Sequence, residues 1–557
     1  MMKYFIVVAL SFLNLAWLLP NHYEPWVTSH SDFCAFMALV VMIGVVVYSL
    51  KEIKIPVKIL PLLFISFIPI VQYIFGLIFF AGDAFIAAIY VFSFFCAVIG
   101  GYNLSQHGKN NPKIYLVLFS SILFSSLVSV FIALIQWLLQ SNGQVWFADF
   151  PLNARPFANF AQPNTLATFL IMGLISLLYL FEKQKLNVIS SSLMALLIIF
   201  GIALTQSRTS WIFALCFVVW WLWKTSTFQP RTSKKYLFLF VSFYILSILT
   251  LPTLSEFIGV NNTSNVFTRA STGLERLEMW QQMLIAIQNQ PWFGYGWNQV
   301  SVAQVATTLE FPVTGWTEHS HNFILDLFVW NGIPIGIAII VFLIYWFYQL
   351  YQLANNIEVV IALSIVGAVL VHAMFEYPLD YAFFLLPLGF IIGLIQAKDQ
   401  NTKVLKFSRL YTGSALVISI ILYVWIFIEY RTIEKDMQLA RFEALNIGEL
   451  HAKHAAPNIV LLTQLREKIR FMRTQPKKNM SDEQILWLHH ISYRYPTIPA
   501  LLRYAQALAL NNNLALAKDQ LLIIENLHGL KLNEARLYNI DQSLSFAWEN
   551  NKIDLKE

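Results

Sequence analysis

Charged side chains are scarce in this sequence, and their scarcity excludes a soluble globular protein. Asp, Glu, Lys and Arg make up 12% of the 557 residues, whereas 57% are hydrophobic and the mean hydropathy is +0.60. The sequence also lacks the alternating ten-residue strands that are typical of a membrane β-barrel. The composition therefore predicts an all-α, polytopic membrane protein.

Cysteine is scarce as well. The three cysteines, Cys34, Cys96 and Cys216, lie inside apolar runs, where a thiol behaves as a small apolar side chain. They predict neither a disulfide framework nor a metal site. A net charge of +6, most of it in loops of one side and in the C-terminal tail, gives no indication of nucleic-acid binding. No pattern in the sequence predicts a cofactor.

The apolar runs are long enough to cross a hydrocarbon core of about 30 Å at about 1.5 Å per residue. The first run lacks a small-residue cleavage pattern at Leu19-Pro20-Asn21, so we predict that it stays as a helix. We predict about thirteen transmembrane helices, at 3–20, 33–50, 59–80, 84–101, 114–139, 165–181, 187–205, 211–224, 236–252, 333–350, 358–375, 383–397 and 411–429.

Lysine is absent from the loops on one side of the predicted membrane. With Met1 inside, the inner loops carry sixteen basic residues, and the outer loops carry only four, all of them arginine. This asymmetry predicts the orientation by the positive-inside rule. Guanidinium groups are planar, bidentate donors that suit phosphate, so the outer arginines predict a site for a pyrophosphate. These arginines are Arg155, Arg208, Arg269 and Arg276.

The predicted topology divides the chain into a transmembrane domain, 1–429, and an outer helical domain, 430–557. Two outer loops, 140–164 and 253–332, are long enough to contain a functional site. The tail carries 17 Lys and Arg and has the composition of an ordinary helical protein. Apolar residues at helical spacing on both sides of Asn511 predict a helix hairpin. The hairpin is either one tetratricopeptide-type unit or part of another helical domain.

A histidine motif lies near the end of the second outer loop. It reads Glu318-His319-Ser320-His321-Asn322 and is followed after nine residues by Gly332. Because histidine titrates near neutral pH, it can act as a general base on the outer face. A zinc site fits poorly, since His319 and His321 would point to opposite sides of a strand. A structural histidine is the remaining alternative.

Several motifs together resemble one known superfamily, the O-antigen ligases and O-antigen polymerases, over roughly residues 110–400. They are His321-Asn322-x9-Gly332, Ser207-Arg208, Arg276-x3-Trp280 and the stretch 291–296, Pro-Trp-Phe-Gly-Tyr-Gly. Two further stretches, 157–167 and 372–381, are similar to the bacterial protein O-oligosaccharyltransferases of the PglL type. That family also has an outer helical tail.

The resemblance implies transfer of a glycan from an undecaprenyl-pyrophosphate carrier at the periplasmic face of the bacterial inner membrane. Because cationic side chains can replace a divalent metal, the outer arginines predict transfer without a metal. The acceptor would be a Ser or Thr hydroxyl of a periplasmic or pilin-type protein. Alternatives are ligation to lipid A-core, chain polymerisation, or a non-enzymatic lipid transporter. A transporter would show broken helices or internal repeats, and the sequence indicates neither.

Within this family the motifs suggest a role for each candidate residue. We predict that His321 accepts the proton of the attacking hydroxyl, and that Arg208 and Arg276 compensate the charge of the departing pyrophosphate. The other predicted substrate-binding residues are Arg155, Arg269, Gln162, Asn164, Asn322, His372 and Tyr377.

Overall fold

The computed structural model describes residues 2–106, 111–138, 145–151, 154–226, 229–260, 274–444 and 455–540. These residues contain nineteen α-helices. They are α1 (Met2–Leu18), α2 (Ser29–Ser49), α3 (Leu60–Ile74), α4 (Ala81–Gln106), α5 (Asn111–Trp137), α6 (Pro163–Glu182), α7 (Val188–Leu204), α8 (Arg208–Lys224), α9 (Lys234–Phe257), α10 (Leu274–Asn289), α11 (Val300–Thr307), α12 (Phe323–Gln352), α13 (Ile357–Ala373), α14 (Ala382–Gln396), α15 (Arg409–Ala444), α16 (Thr463–Met472), α17 (Asp482–Arg494), α18 (Ile498–Leu510) and α19 (Leu514–His528).

Each of the predicted apolar runs overlaps a helix of the structure. In the described part of the chain, eight helices are long and apolar enough to cross a membrane by length and composition. Five helices that overlap the remaining runs, α1, α7, α8, α13 and α14, have 15 to 17 residues. The protein is therefore a mostly helical, polytopic membrane protein. The total of thirteen crossings stays a prediction.

Three helix boundaries differ from the apolar runs. α3 ends at Ile74 because a turn follows, in which Gly76 has a φ of 75°. α12 begins ten residues before its run and is interrupted at Gly332, whose φ and ψ are 72° and 177°. α15 continues beyond residue 429 to Ala444, so the predicted domain boundary falls inside one helix. The domain division stays a prediction.

The described residues also contain two short strands that the sequence did not predict. β1 (Glu52–Pro56) pairs antiparallel with β2 (Val404–Ser408), with Lys54 opposite Lys406. Asn103 extends this ribbon from α4, since its side-chain oxygen accepts from Lys54 N at 2.9 Å and its amide donates to Lys54 O at 2.7 Å. The ribbon therefore joins two lysine-containing loops that are far apart in the sequence.

The contacts divide the chain into two compact units. The first consists of Met1–Phe64, Tyr90–Gly273 and Phe342–Ile421, and the second of Ile65–Ile89, Leu274–Val341 and Leu422–Glu557.

In the first unit α6 is the most buried of the long apolar helices, and it contacts α5, α7 and α13. Glycines allow α4 and α14 to pack closely in the same unit. A Cβ added to Gly101 would lie 2.1 Å from Phe390 O, and one added to Gly393 would lie 2.1 Å from Val98 O. Such close backbone approach is typical of helix pairs in membranes.

The predicted helix hairpin is present in the second unit, where α18 packs on α19. Their buried side chains form one core with α17, and this core also contains Phe80 and Val305, from segments that precede residue 341. Burial of apolar side chains contributes about 25 cal/mol per Å². The tail is thus packed on parts of its own unit that come much earlier in the chain. Its core residues include Leu488, Leu501, Leu508, Leu521 and Ile524.

Candidate functional site

A hydrogen-bonded loop of the first unit precedes α6 and carries several predicted site residues. Gln136, buried in α5, accepts from Phe157 N at 3.1 Å and from Ala158 N at 2.7 Å. Asn159 donates to Leu18 O at 2.7 Å and so ties the same loop to the end of α1. These contacts satisfy backbone groups that would otherwise be buried without a partner. They fix the chain on its way into α6.

Glu376 brings together two of the predicted residues at the start of α6. Its Oε1 accepts from Asn164 Nδ2 at 2.8 Å, and its Oε2 accepts from Gln162 Nε2 at 3.2 Å. Gln162 is held in turn, because its Oε1 accepts from Thr165 Oγ1 at 2.7 Å. Glu376 is only 3% exposed. A buried carboxylate that accepts two amide donors orients both amides firmly.

His372 and Tyr377 lie on either side of Glu376 along the chain. His372 is fully buried in the last turn of α13, and its carbonyl oxygen accepts from Glu376 N at 2.9 Å. The ring of Tyr377 packs edge-on against Tyr381, with 5.7 Å between the ring centres. The structure therefore brings Gln162 and Asn164 to the carboxylate of Glu376, which was not on the predicted list, and places His372 and Tyr377 next to it along the chain.

Arg155 contacts the short segment that connects α7 to α8 in the first unit, and Arg208 lies at the end of this segment. Arg155 Nη1 donates to Thr205 O at 3.1 Å, and Arg208, three residues later, is the first residue of α8. A cation at a helix N-terminus is disfavoured by about 0.3–1 kcal/mol, because the backbone N–H groups there already carry partial positive charge. The backbone N–H groups at the start of α8 and the guanidinium of Arg208 together favour an anion.

The second unit holds the histidine motif between two anchors. Trp280 Nε1 donates to Ser320 O at 2.8 Å, and Ser320 N donates to Asp326 Oδ1 at 2.8 Å. The next residue, His321, has a φ of 56° in the left-handed region. Non-glycine residues adopt this conformation seldom, and they often do so at functional sites.

Arg276 belongs to the helix that supports this motif. It precedes Trp280 by four residues in α10, so the two side chains lie on one face of the helix. Because Trp280 contacts the residue before His321, the predicted arginine and the predicted base belong to neighbouring elements of one unit.

Asn322 caps α12, a contact that the sequence analysis did not foresee. Its Oδ1 accepts from Ile324 N and Leu325 N, both at 3.1 Å. Capping satisfies backbone N–H groups that have no partner within a helix. The cap therefore fixes the start of α12 directly after His321. The role of Asn322 in substrate binding stays a prediction.

The glycine at the end of the histidine motif has a steric explanation. At the kink in α12, a Cβ on Gly332 would lie 2.4 Å from the carbonyl carbon of Trp292. Ile333 N donates to Pro291 O at 2.7 Å, and Tyr295 N donates to Val329 O at 2.8 Å. The stretch 291–296 therefore lies directly against the kink, which requires a residue without a side chain at position 332.

Charged groups surround the histidines within the second unit. Burial lowers the pKa of His319, and Arg494 and His321 add to the effect, whereas Asp326 and Glu318 oppose it. The imidazole of His319 therefore stays neutral at neutral pH. Asp326 and Glu318 were not predicted as site residues, and neither was Arg494, which belongs to the C-terminal tail.

Arg269 lies outside the described residues, and its role in substrate binding stays a prediction. Within the described ranges, no three His, Cys, Asp or Glu side chains are grouped so that they could hold a metal ion.

Comparison with known proteins supports the resemblance seen in the motifs. A family model described as protein glycosylation ligase matches residues 156–181, and one described as O-antigen ligase matches 193–340. A third, described as virulence factor membrane-bound polymerase, C-terminal, matches 360–536. The general O-oligosaccharyltransferase of Acinetobacter baylyi is 34% identical over 555 residues, which cover 97% of this chain and 94% of the relative.

The chain belongs to the protein O-oligosaccharyltransferases of the O-antigen ligase family. A second relative from the same organism, the ComP-specific O-oligosaccharyltransferase, is 27% identical over 515 residues, which cover 90% of this chain and 91% of the relative. Membership of this family makes the protein a membrane enzyme of protein O-glycosylation, with a lipid-linked oligosaccharide as donor and a protein as acceptor.

Proposed function

We propose that this O-oligosaccharyltransferase transfers an oligosaccharide from undecaprenyl pyrophosphate to Ser or Thr hydroxyls of periplasmic or pilin-type proteins. The observation that carries the proposal is the 34% identity to a general O-oligosaccharyltransferase over 97% of the chain. The lower identity, 27%, to the relative named for ComP favours several acceptor proteins over a single one.

The proposed location is the bacterial inner membrane, with thirteen crossings and the active site on the periplasmic face. Sixteen basic residues in the loops of one side against four in the loops of the other support this orientation. An odd number of crossings would place the tail, 430–557, on the periplasmic side as well. Its α18–α19 hairpin is consistent with a tetratricopeptide-like domain that helps to recruit the acceptor protein.

In the proposed reaction the acceptor hydroxyl attacks the anomeric carbon of the donor. A bond forms between the hydroxyl oxygen and this carbon, the bond from the carbon to the pyrophosphate oxygen breaks, and the proton moves to His321. The left-handed backbone of His321 and its two neighbouring anchors support this role, because a general base must be held in a fixed position.

The departing undecaprenyl pyrophosphate gains negative charge, which we assign to the arginines. Arg276 lies one turn before Trp280, which contacts the histidine motif, and Arg155 and Arg208 lie where α8 begins. Fixed cations that stabilise negative charge as it develops in the transition state usually make the largest single contribution to catalysis. They provide the compensation that a divalent metal gives in other transferases, so we propose metal-independent transfer.

Gln162 and Asn164 are proposed to position the sugar or the acceptor, with Glu376 holding both amides in place. Tyr377 and His372 complete this part of the proposed site.

Glycoproteomics of the source bacterium with and without this gene tests the proposal. We expect O-linked glycopeptides from several exported proteins to disappear in the null strain and to return on complementation. An unchanged glycoproteome together with loss of polysaccharide from lipid A-core would instead establish ligation to a glycolipid. An unchanged glycoproteome with unchanged surface polysaccharide would contradict both functions.

A further inference from the structure

A buried arginine at the end of α17 joins the tail to an early part of the second unit. Arg494 Nε lies 3.2 Å from Asp83 Oδ2, and its Nη2 lies 3.2 Å from Asp83 Oδ1. The two residues are 8% and 6% exposed. Ser301 in α11 donates to Arg494 O at 2.9 Å, so the backbone of this arginine is fixed too. A bidentate, buried pair of this kind holds the guanidinium in one orientation.

The remaining edge of this guanidinium faces the histidine motif. Arg494 Nη1 lies 3.5 Å from Glu318 Oε1, and Glu318 precedes His321 by three residues. Asp83 and Glu318 therefore share one guanidinium. The first carboxylate fixes the arginine, and the second belongs to the loop that carries the proposed base.

The tail also holds the backbone of the same loop just before Glu318. Gly315 N donates to Leu527 O in α19 at 2.8 Å. The side chain of Gln304 in α11 binds two backbone groups of this loop. Its Nε2 donates to Gly315 O at 3.0 Å, and its Oε1 accepts from Thr317 N at 2.9 Å. The tail thus restrains this loop at Gly315 and at Glu318.

We propose that the C-terminal tail is a positioning element of the active site, in which Arg494 holds Glu318 and thereby the loop of His321. This inference rests on the proposed role of His321. It adds to the docking role of the tail a second role that does not require an acceptor protein. The left-handed backbone of His321 needs such restraint, because a residue other than glycine keeps this conformation only where its surroundings impose it.

Glu318→Gln is the most direct variant. Arg494 keeps Asp83, so no buried charge is left without its main partner, and only the ion pair to the loop is lost. A base displaced by about 1 Å can lose up to 10²-fold in rate. Because Glu318 has its side chain partly exposed, we expect a smaller effect, with kcat reduced on the order of 10-fold and KM for the lipid-linked donor unchanged.

Arg494→Gln removes both ion pairs and should lower kcat further. Arg503→Gln is the matched control, since Arg503 in α18 is also buried but donates to carbonyls of the tail itself, Phe471 O at 2.6 Å and Met472 O at 3.1 Å. We expect Arg503→Gln to lower the thermal unfolding temperature without changing kcat at a temperature where the protein is folded.

Hydrogen–deuterium exchange of residues 314–322 in the full-length protein, in detergent, provides a readout that is independent of catalysis. We expect faster exchange in Glu318→Gln and Arg494→Gln, and wild-type exchange in Arg503→Gln. Unchanged exchange in Glu318→Gln would overturn the restraint, and faster exchange with a wild-type kcat would overturn the positioning role. An equal loss of kcat in the Arg503→Gln control would assign the effect to general stability of the tail.

A failure of the positioning role and a failure of the proposed function give different experimental results. If His321→Ala were fully active, the role of the base would be wrong, whereas the exchange measurement would still report whether Arg494 restrains the loop.

Discussion

At the residue scale, the predicted outer loops select arginine over lysine, and the structure gives physical reasons for this selection. Arg155 uses Nη1 of its planar guanidinium to bind Thr205 O at 3.1 Å. Arg208 begins a helix, at a position that disfavours a cation unless an anion binds there. A lysine ammonium would supply the charge but not two parallel donors.

Arg208→Lys and Arg276→Lys should therefore each lower kcat by about 10-fold or more, since loss of one preorganised donor costs roughly 10²–10³-fold and lysine retains the charge. Transfer rates and donor affinity of the purified variants check this. Arg231→Lys is the control, because Arg231 lies in a predicted inner loop and donates to Phe181 O at 3.0 Å. Full rate and affinity in both outer variants would remove these arginines from the mechanism.

Glu376→Gln should lower activity roughly 10-fold, because a new amide group would face the amides of Gln162 and Asn164, and an unsatisfied buried donor costs about 1–3 kcal/mol. Glu182→Gln is the matched control at the other end of α6, where the carboxylate accepts from Arg231 N at 2.7 Å and Thr232 N at 2.8 Å. Equal activity of the two variants would show that Glu376 has no special role in transfer.

The sequence could name most of these residues but not their partners. Gln162, Asn164 and His321 stand in local motifs, which a single sequence displays. Glu376 is more than 200 positions from Gln162 and Asn164, and only the packing of α6 against α13 brings the groups together. The pair of Asp83 and Arg494 is 411 positions apart and has no local pattern that could reveal it.

At the element scale, hydropathy predicted the helices well because length and apolar content are local properties. It did not predict β1 and β2, since each strand has only five residues and forms only by pairing with the other. It also placed the start of α12 ten residues too late, because Asp326, Asn331 and Gly332 interrupt the apolar sequence of 323–332. The cap at Asn322 fixes the actual start of the helix.

The kink in α12 provides a test at this scale. Gly332→Ala should lower the thermal unfolding temperature, because its φ of 72° disfavours a side chain and its Cβ would lie 2.4 Å from Trp292. The strain of the backbone alone costs about 1–3 kcal/mol. Gly367→Ala in α13 is the control, since its Cβ would meet nothing within 4 Å. Equal unfolding temperatures in detergent would contradict this account of the motif.

At the scale of the whole molecule, the C-terminal tail forms part of the core of the second unit. Its core includes Phe80 and Val305, and it contacts the loop that carries the histidine motif. Deletion of 430–557 would therefore expose apolar side chains of the second unit in addition to removing any acceptor-docking surface. Point variants such as Glu318→Gln separate these two effects, which a truncation cannot.

The proposed chemistry predicts that transfer survives EDTA. The arginines, in place of a metal ion, compensate the charge of the pyrophosphate in this proposal. Transfer is measured in purified protein before and after dialysis against the chelator. Loss of activity that a divalent cation restores would show that a metal takes part.

The central claim is tested most directly by in vitro transfer with His321→Ala. Purified protein, undecaprenyl-pyrophosphate-linked oligosaccharide and a serine-containing acceptor peptide are combined, and the glycopeptide is followed by mass spectrometry. Because general base catalysis contributes about 10²–10⁴-fold, the variant should lose at least about 10²-fold in rate while it keeps the unfolding temperature and donor affinity of the wild type. Wild-type turnover by a folded His321→Ala protein would contradict the account.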